Sequence, residues 1–277
     1  MELIMKIDET TKSLQKIELD ILKEFIRVCD LLNLNYFLIG GSLIGAVRHE
    51  GFIPWDDDID VCMLRDDYEI FLKKGQKYLD KKLFIQTYKT DKNYSNCFAK
   101  IRNSETTFME ESVKDVQMNH GIFIDIFPID NLYSINKIKA KMIHYALYQN
   151  YFLNSENLFK KSFAYLSKIF YRNKTKLELC QKLEKMHTLA NDKNKDKVVN
   201  YCGSWGVKKE SHCRDDFSDY QLVDFENIKV KIPIGYDRIL KDTYGDYMKL
   251  PPEEKRVSHH YTEVIDVNKS YINYFCL

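Results

Sequence analysis

The chain has 277 residues, 44% of them hydrophobic, with 42 Lys and Arg against 41 Asp and Glu and a formal net charge of +1. That supplies a core for one large or two small domains and argues against a nucleic-acid binder, which would need an excess of positive charge. No stretch reaches the roughly 18 apolar residues of a membrane span, the N-terminus lacks a signal peptide's apolar run, and seven cysteines without a CxxC pair read as reduced thiols. A cytoplasmic protein is expected.

Residues 11–34 place Leu14, Ile17, Ile21, Phe25, Val28 and Leu32 at helical spacing with charges between them. This reads as a packing helix without chemistry of its own. Residues 35–39 follow as a short buried strand that ends on Gly40-Gly41-Ser42. Glycines let a backbone approach a ligand closely, and Ser42 is a good N-cap for a helix over 43–48. Strand, glycine turn and helix N-terminus together present free N–H groups to a phosphate, although an ordinary tight turn has the same pattern.

Asp56-Asp57-Asp58-Ile59-Asp60 then runs into the apolar stretch Val61-Cys62-Met63-Leu64. Read as one strand, it puts Asp56, Asp58 and Asp60 on one face and turns Asp57 away. Carboxylates this close raise one another's pKa unless a cation sits between them, and an oxygen-only donor set suits Mg²⁺ or Mn²⁺. A solvated acidic turn is the plain alternative. Pro54-Trp55 before the acids and the apolar strand after them hold the group beside a core.

Further along, residues 66–78 read as a helix, and 83–88 and 97–102 as strands joined by a polar turn over 90–96. Alternation puts Phe98, Lys100 and Arg102 on one face, where the two cations would neutralise a pyrophosphate or simply edge a solvated sheet. Residues 121–128 are apolar on both faces except at Asp125 and read as a central strand with one buried carboxylate. A buried acid needs a partner, and the acidic strand with a cation between is the expected one. His120 and Asp130 flank this strand as weaker candidates.

From 137 to 176 the composition shifts to nine Lys or Arg and one acid, Glu156, interleaved with aromatic residues. Helices with one aromatic and one basic face are expected, suited to peripheral contact with an anionic membrane surface, to an anionic acceptor, or to ordinary core packing. This shift divides the chain into a core over 1–135 and a mostly helical region over 136–277. Residues 177–189 and 237–244 read as further helices, the second stopped at Gly245 before Pro251-Pro252.

A phosphate-gripping turn separated by fifteen residues from Asp58-x-Asp60 resembles the nucleotidyltransferase (polymerase beta-like) superfamily, with a slightly longer gap than is usual there. The whole of 40–60, GGSLIGAVRHEGFIPWDDDID, including Arg48-His49 and the segment from Gly51 to Trp55, is similar to the LicD family of phosphotransferases, whose relatives include fukutin-related protein. The likeness extends from the first helix to about Arg256. It implies an α+β fold, a mixed sheet with flanking helices.

It also implies a metal site of Asp56, Asp58, Asp60 and Asp125 holding Mg²⁺ or Mn²⁺, with Asp58, Asp60 and Asp125 catalytic. Asp125 would complete the metal site or take the acceptor's proton. Substrate contacts would come from Gly40, Gly41, Ser42, Arg48, His49, Lys100, Arg102 and His120. The implied donor is a CDP-activated alcohol: CDP-choline first, with CDP-ribitol and CDP-glycerol open. The acceptor would be a hydroxyl of a glycan or teichoic-acid precursor, free or lipid-linked, and CMP would be released. The same acids would also serve nucleotidyl transfer from an NTP. A glycosyltransferase would not need the phosphate turn, and a non-catalytic cation-binding protein docked at a membrane is the reading from a different class.

Overall fold

The computed structural model describes residues 2–193, 195–258 and 260–275. Its centre is a mixed sheet of order β3-β4-β6-β2-β1, formed by β1 (Phe37–Leu38), β2 (Asp60–Leu64), β3 (Leu83–Gln86), β4 (Ala99–Asn103) and β6 (Ile122–Asn131). Only β2 and β6 pair in parallel along this path. All ten residues of β6 are buried, as its unbroken apolar run requires of a strand covered on both faces. The fold class is α+β, as the sequence predicts.

Helix α1 (Glu2–Leu32) covers one face of the sheet with Leu14, Ile21, Phe25 and Val28 of the stripe legible in the sequence, joined by Leu22, while Ile17 and Leu32 are partly buried beside them. Phe25 meets Tyr36 and Phe71 edge-on, at 5.2 and 5.1 Å between ring centres. Helix α2 (Gly40–His49) links β1 to β2, and α3 (Arg65–Lys74) follows β2 directly.

Beyond β6, helices α4 (Lys137–Leu147), α5 (Gln149–Leu153), α6 (Leu158–Phe170) and α7 (Lys176–His187) form the basic aromatic region. Ile143, Leu147, Leu179 and Leu183 gather there around Tyr88 and Cys97 as a second apolar cluster. The chain then returns to strand. β7 (Lys197–Val199) and β8 (Ser211–Cys213) extend the sheet from the far end of β6, and β9 (Tyr220–Phe225) and β10 (Ile228–Pro233) form a hairpin. These strands are absent from the sequence reading. The hairpin turn holds Glu226 at φ 55 without a glycine, so the usual signal is missing.

Phe217, Phe225, Val230, Ile232 and Leu240, the last on α8 (Tyr236–Tyr244), join the main core with Phe37, Leu43 and Phe52. β11 (Thr262–Asp266) pairs with β5 (Thr107–Glu110), and α9 (Ile272–Phe275) follows. The last third of the chain therefore shares the core of the first. Cys29, Cys62, Cys97, Cys180, Cys202 and Cys213 are free thiols, and Cys276 lies outside the described residues. Among the described residues no helix is long and apolar enough to cross a membrane.

Candidate active site

The site begins where β1 turns into α2. Ile39 donates its N–H to Asp60 O (3.1 Å), and the N–H of Asp60 donates to Ser42 Oγ (2.8 Å), so the first residue of β2 is tied to the first turn of the helix. Ser42 therefore does not cap the helix. The helix starts at Gly40, with Ile39 in the cap position. A Cβ on Gly40 would fall 2.7 Å from Asp60 Oδ2, and one on Gly41 2.6 Å from Asp56 Oδ2. The glycine pair thus lets the positive end of α2 sit against two carboxylates, and Gly40 adopts φ 61, which glycine reaches without strain.

The acids preceding β2 differ from the expectation in one respect. The strand begins only at Asp60, so alternation does not govern residues 56–58. They form a turn in which carboxylate oxygens of Asp56, Asp57 and Asp58 lie within 4.8 Å of one another. Asp57, expected to point elsewhere, belongs to the cluster. Its Oδ2 accepts from Ser258 Oγ (2.5 Å), and its Oδ1 lies 3.2 Å from His260 Nδ1. From the opposite side, Gln15 Nε2 on α1 donates to Asp56 O (2.9 Å).

Asp125 stands beside Asp60, its register partner on the parallel neighbour strand. Such strands lie about 4.8 Å apart. Its partner on the other side is Lys100 of β4, whose Nζ is 2.7 Å from Asp125 Oδ1 and sits over the Phe123 ring at 3.3 Å. The buried carboxylate is thus paired directly with a lysine, a partner the sequence does not predict. Arg102 also lies over the Phe123 ring, at 4.7 Å, and is fully buried, donating to Gln86 Oε1 (2.5 Å) and Gly121 O (2.7 Å), with Nη2 unpartnered. Lys100, Arg102, Glu110, Tyr94 and Tyr148 line a cavity of about 430 Å³.

The remaining candidates lie elsewhere. Arg48 and His49 end α2, about 13 Å along its axis from the glycines. Arg48 Nη1 donates to Tyr247 O (2.5 Å), and His49 packs edge-on to Trp55. His120 bonds through Nε2 to Val116 O (2.8 Å) and packs on Phe275, five residues before Asp125. Asp130 is taken up by Arg65, whose Nε and Nη2 reach its two oxygens at 2.7 and 2.6 Å.

The electrostatics of the acids follow from burial. Burial, then the charges of Asp58, Asp57, Asp56 and Asp125, push the Glu18 carboxyl well above the usual range. Burial and the charge of Asp58 likewise hold Asp56 and Asp60 well above it. Burial raises Asp58 to about 6, His260 working against the shift and Asp125 with it. Burial also raises Asp125, against the pull of Lys100. Burial disfavours a charged His260, but the hydrogen bond to Asp57 and the charges of Asp58 and Asp57 outweigh it, to about 9. The carboxylates of Glu18, Asp56, Asp57, Asp58, Asp60 and Asp125 outnumber the cations of Lys100 and His260, and all donors are oxygen. That arrangement fits a hard divalent cation.

Comparison with known proteins identifies the family. The family described as LicD/FKTN/FKRP, nucleotidyltransferase domain, matches residues 33–168. Lipopolysaccharide cholinephosphotransferase LicD of Haemophilus influenzae is 30% identical over 269 residues, which span 92% of this chain and 97% of that protein. The chain belongs to the LicD family. Ribitol 5-phosphate transferase FKRP of human and of mouse is 43% identical over 42 residues, 15% of this chain and 8% of those proteins.

Two charged groups at the acids of this LicD-family chain lie outside the matched residues 33–168 and escaped the sequence reading. Glu18 on α1 is buried, with Oε2 unpartnered. Its only signal in the sequence is an acid on the helix's apolar side, next to Leu14, Ile17 and Ile21. His260 comes from the segment before β11, and no local pattern marks it.

Proposed function

We propose that this LicD-family chain is an enzyme that moves a phospho-alcohol group, phosphocholine being the first candidate, from a CDP-activated donor to a hydroxyl of a cell-surface glycan or teichoic-acid precursor, releasing CMP. One observation carries the reading: Asp60 and Asp125 are register partners on adjacent strands, with Asp56, Asp57 and Asp58 clustered before them and Gly40-Gly41 set against Asp56 and Asp60. This stands in a chain related over 92% of its length to a cholinephosphotransferase.

Phosphoryl transfer is driven by positioning and by neutralising charge on the transferred group. Asp56, Asp58, Asp60 and Asp125 are the proposed holders of Mg²⁺ or Mn²⁺, which when bound would neutralise the donor's pyrophosphate. Gly40, Gly41 and Ser42 bring the positive end of α2 to that charge. Lys100 adds a fixed cation beside Asp125. Asp125 is either a ligand or the acceptor of the hydroxyl's proton.

The test is CMP release from CDP-choline, CDP-ribitol and CDP-glycerol, each with a glycan acceptor and with Mg²⁺ or EDTA. Mg²⁺-dependent release from one of them is expected. Failure of all three, together with pyrophosphate release from CTP, would replace phospho-alcohol transfer by nucleotidyl transfer.

A further inference from the structure

Helix α6 carries an apolar face that the described residues leave uncovered. Leu158, Phe159, Tyr165, Leu166, Ile169 and Phe170 are all more than half exposed, from 51% at Ile169 to 90% at Phe159. At 3.6 residues per turn these positions form one continuous stripe, interrupted only by Ser162. The opposite side, Ala164 and Ser167, is buried, and Phe163 packs edge-on to Tyr145 of α4 at 5.0 Å. The helix is therefore held to the protein by its narrow small-residue side and turns its large apolar residues outward. Isolated exposed apolar residues are ordinary, but six on one face mark a surface with a partner.

The charge around the stripe identifies the partner. Lys161 and Lys168 border it along one edge, and Arg172 and Lys174 follow at its C-terminal end. Glu156 is the one acid in residues 137–176, against nine Lys and Arg.

We propose that α6 docks this protein on an anionic lipid surface, lying in the plane of the interface with its stripe among the acyl chains and its lysines among the headgroups. Lysine suits that border, because its stem stays against apolar surface while the ammonium reaches the phosphates. A second copy fits the same face poorly. A twofold contact would bring two sets of cations together without acids to offset them. The placement also bears on the site, since Lys168 and Arg172 line the same cavity as Lys100 and Arg102. Docking through α6 holds that cavity beside the bilayer, where a lipid-linked acceptor would present its headgroup.

The proposal is independent of the transfer reaction and is tested without substrate. The full chain is sedimented with vesicles of mixed phosphatidylglycerol and phosphatidylcholine, and with phosphatidylcholine alone. Expected is partition to the anionic vesicles that weakens with salt and falls about tenfold or more in Phe159→Ser/Leu166→Ser/Phe170→Ser and in Lys161→Glu/Lys168→Glu. The substituted side chains are exposed, and unchanged circular dichroism verifies the fold. No partition to anionic vesicles, or partition that both variants retain, overturns the proposal. Self-association abolished by the triple variant overturns it as well, because the stripe then belongs to a second copy.

Discussion

The ammonium of Lys100 stands 2.7 Å from Asp125 Oδ1, and both side chains are buried between β4 and β6. Asp125 is thus shared between a fixed lysine on one strand and the acid cluster on the other, with Asp60 its register partner. Removing one member of a buried pair leaves an uncompensated charge, typically at about 3–5 kcal/mol. Lys100→Met is expected to destabilise by about that amount, measured by urea unfolding. The double variant Lys100→Met/Asp125→Asn should recover most of the loss. A double variant no more stable than Lys100→Met alone would contradict the coupling.

Asp58 and Asp60 separate function from stability. Burial and neighbouring acids disfavour their charge, so Asp58→Asn and Asp60→Asn should leave the cation-free protein as stable or more so, while CMP release falls by about 100-fold or more. In the wild type, Mg²⁺ at about 100 times its Kd should add about 2.7 kcal/mol, and both variants should lose that gain. The pH dependence follows from Asp58, raised from 3.8 to about 6. Its folded form holds the proton more tightly than the unfolded chain, so the contribution is full below about 4 and lost as pH rises through about 6. Thermal melts of the cation-free wild type should decline across that window, and Asp58→Asn should flatten the decline.

What could be read in the sequence, and what could not, follows from the range of the interactions. The glycine turn, β2 and β6 are local patterns, and the apolar run around Asp125 forces a central strand. The facing of the acids is not legible, because residues 56–58 turn before the strand begins and a period of two does not apply there. Lys100 was visible as a cation on the right strand, but its partner depends on the register of β4 against β6. Glu18 and His260 reach the cluster from opposite ends of the chain. The pairing of β11 with β5, which carries the His260 segment back, joins residues more than 150 positions apart. No periodicity reports such contacts.

Glu18 tests the far side of the cluster. With Oε2 unpartnered and burial and four aspartates opposing its charge, Glu18→Gln removes an unfavourable carboxyl while keeping its shape. The variant should be at least as stable as the wild type in EDTA and should gain less from Mg²⁺. A loss of about 2 kcal/mol or more in EDTA would instead mean that the carboxylate satisfies a buried donor.

The two glycines should behave differently when a methyl is added. Gly40→Ala meets both a left-handed φ and the Asp60 carboxylate at 2.7 Å, so stability should fall by about 1–2 kcal/mol along with activity. Gly41→Ala meets only the flexible end of Asp56. It should melt near the wild type yet lose CMP release, because the displaced carboxylate is a proposed ligand. Equal activity of Gly41→Ala and wild type would mean that the close fit of α2 against Asp56 has no part in the reaction.

His260 places a second decline of the same sign on the alkaline side. Its pKa rises from 6.5 to about 9, burial being outweighed by Asp57 and Asp58. A histidine that binds its proton more tightly when folded stabilises fully below about 6.5, and the contribution is lost as pH rises through about 9. The shift corresponds to about 3 kcal/mol. The wild type should therefore lose stability from pH 7 to 9.5, and His260→Gln, which can still donate to Asp57, should be less stable at neutral pH and nearly flat over that range. A proton NMR titration reads the residue directly, and a midpoint near 6.5 in the cation-free protein would break the proposed link between the C-terminal segment and the acid cluster. Mg²⁺ should lower that midpoint, because a cation among Asp56, Asp58 and Asp60 takes over the charge that now holds the proton on the imidazole.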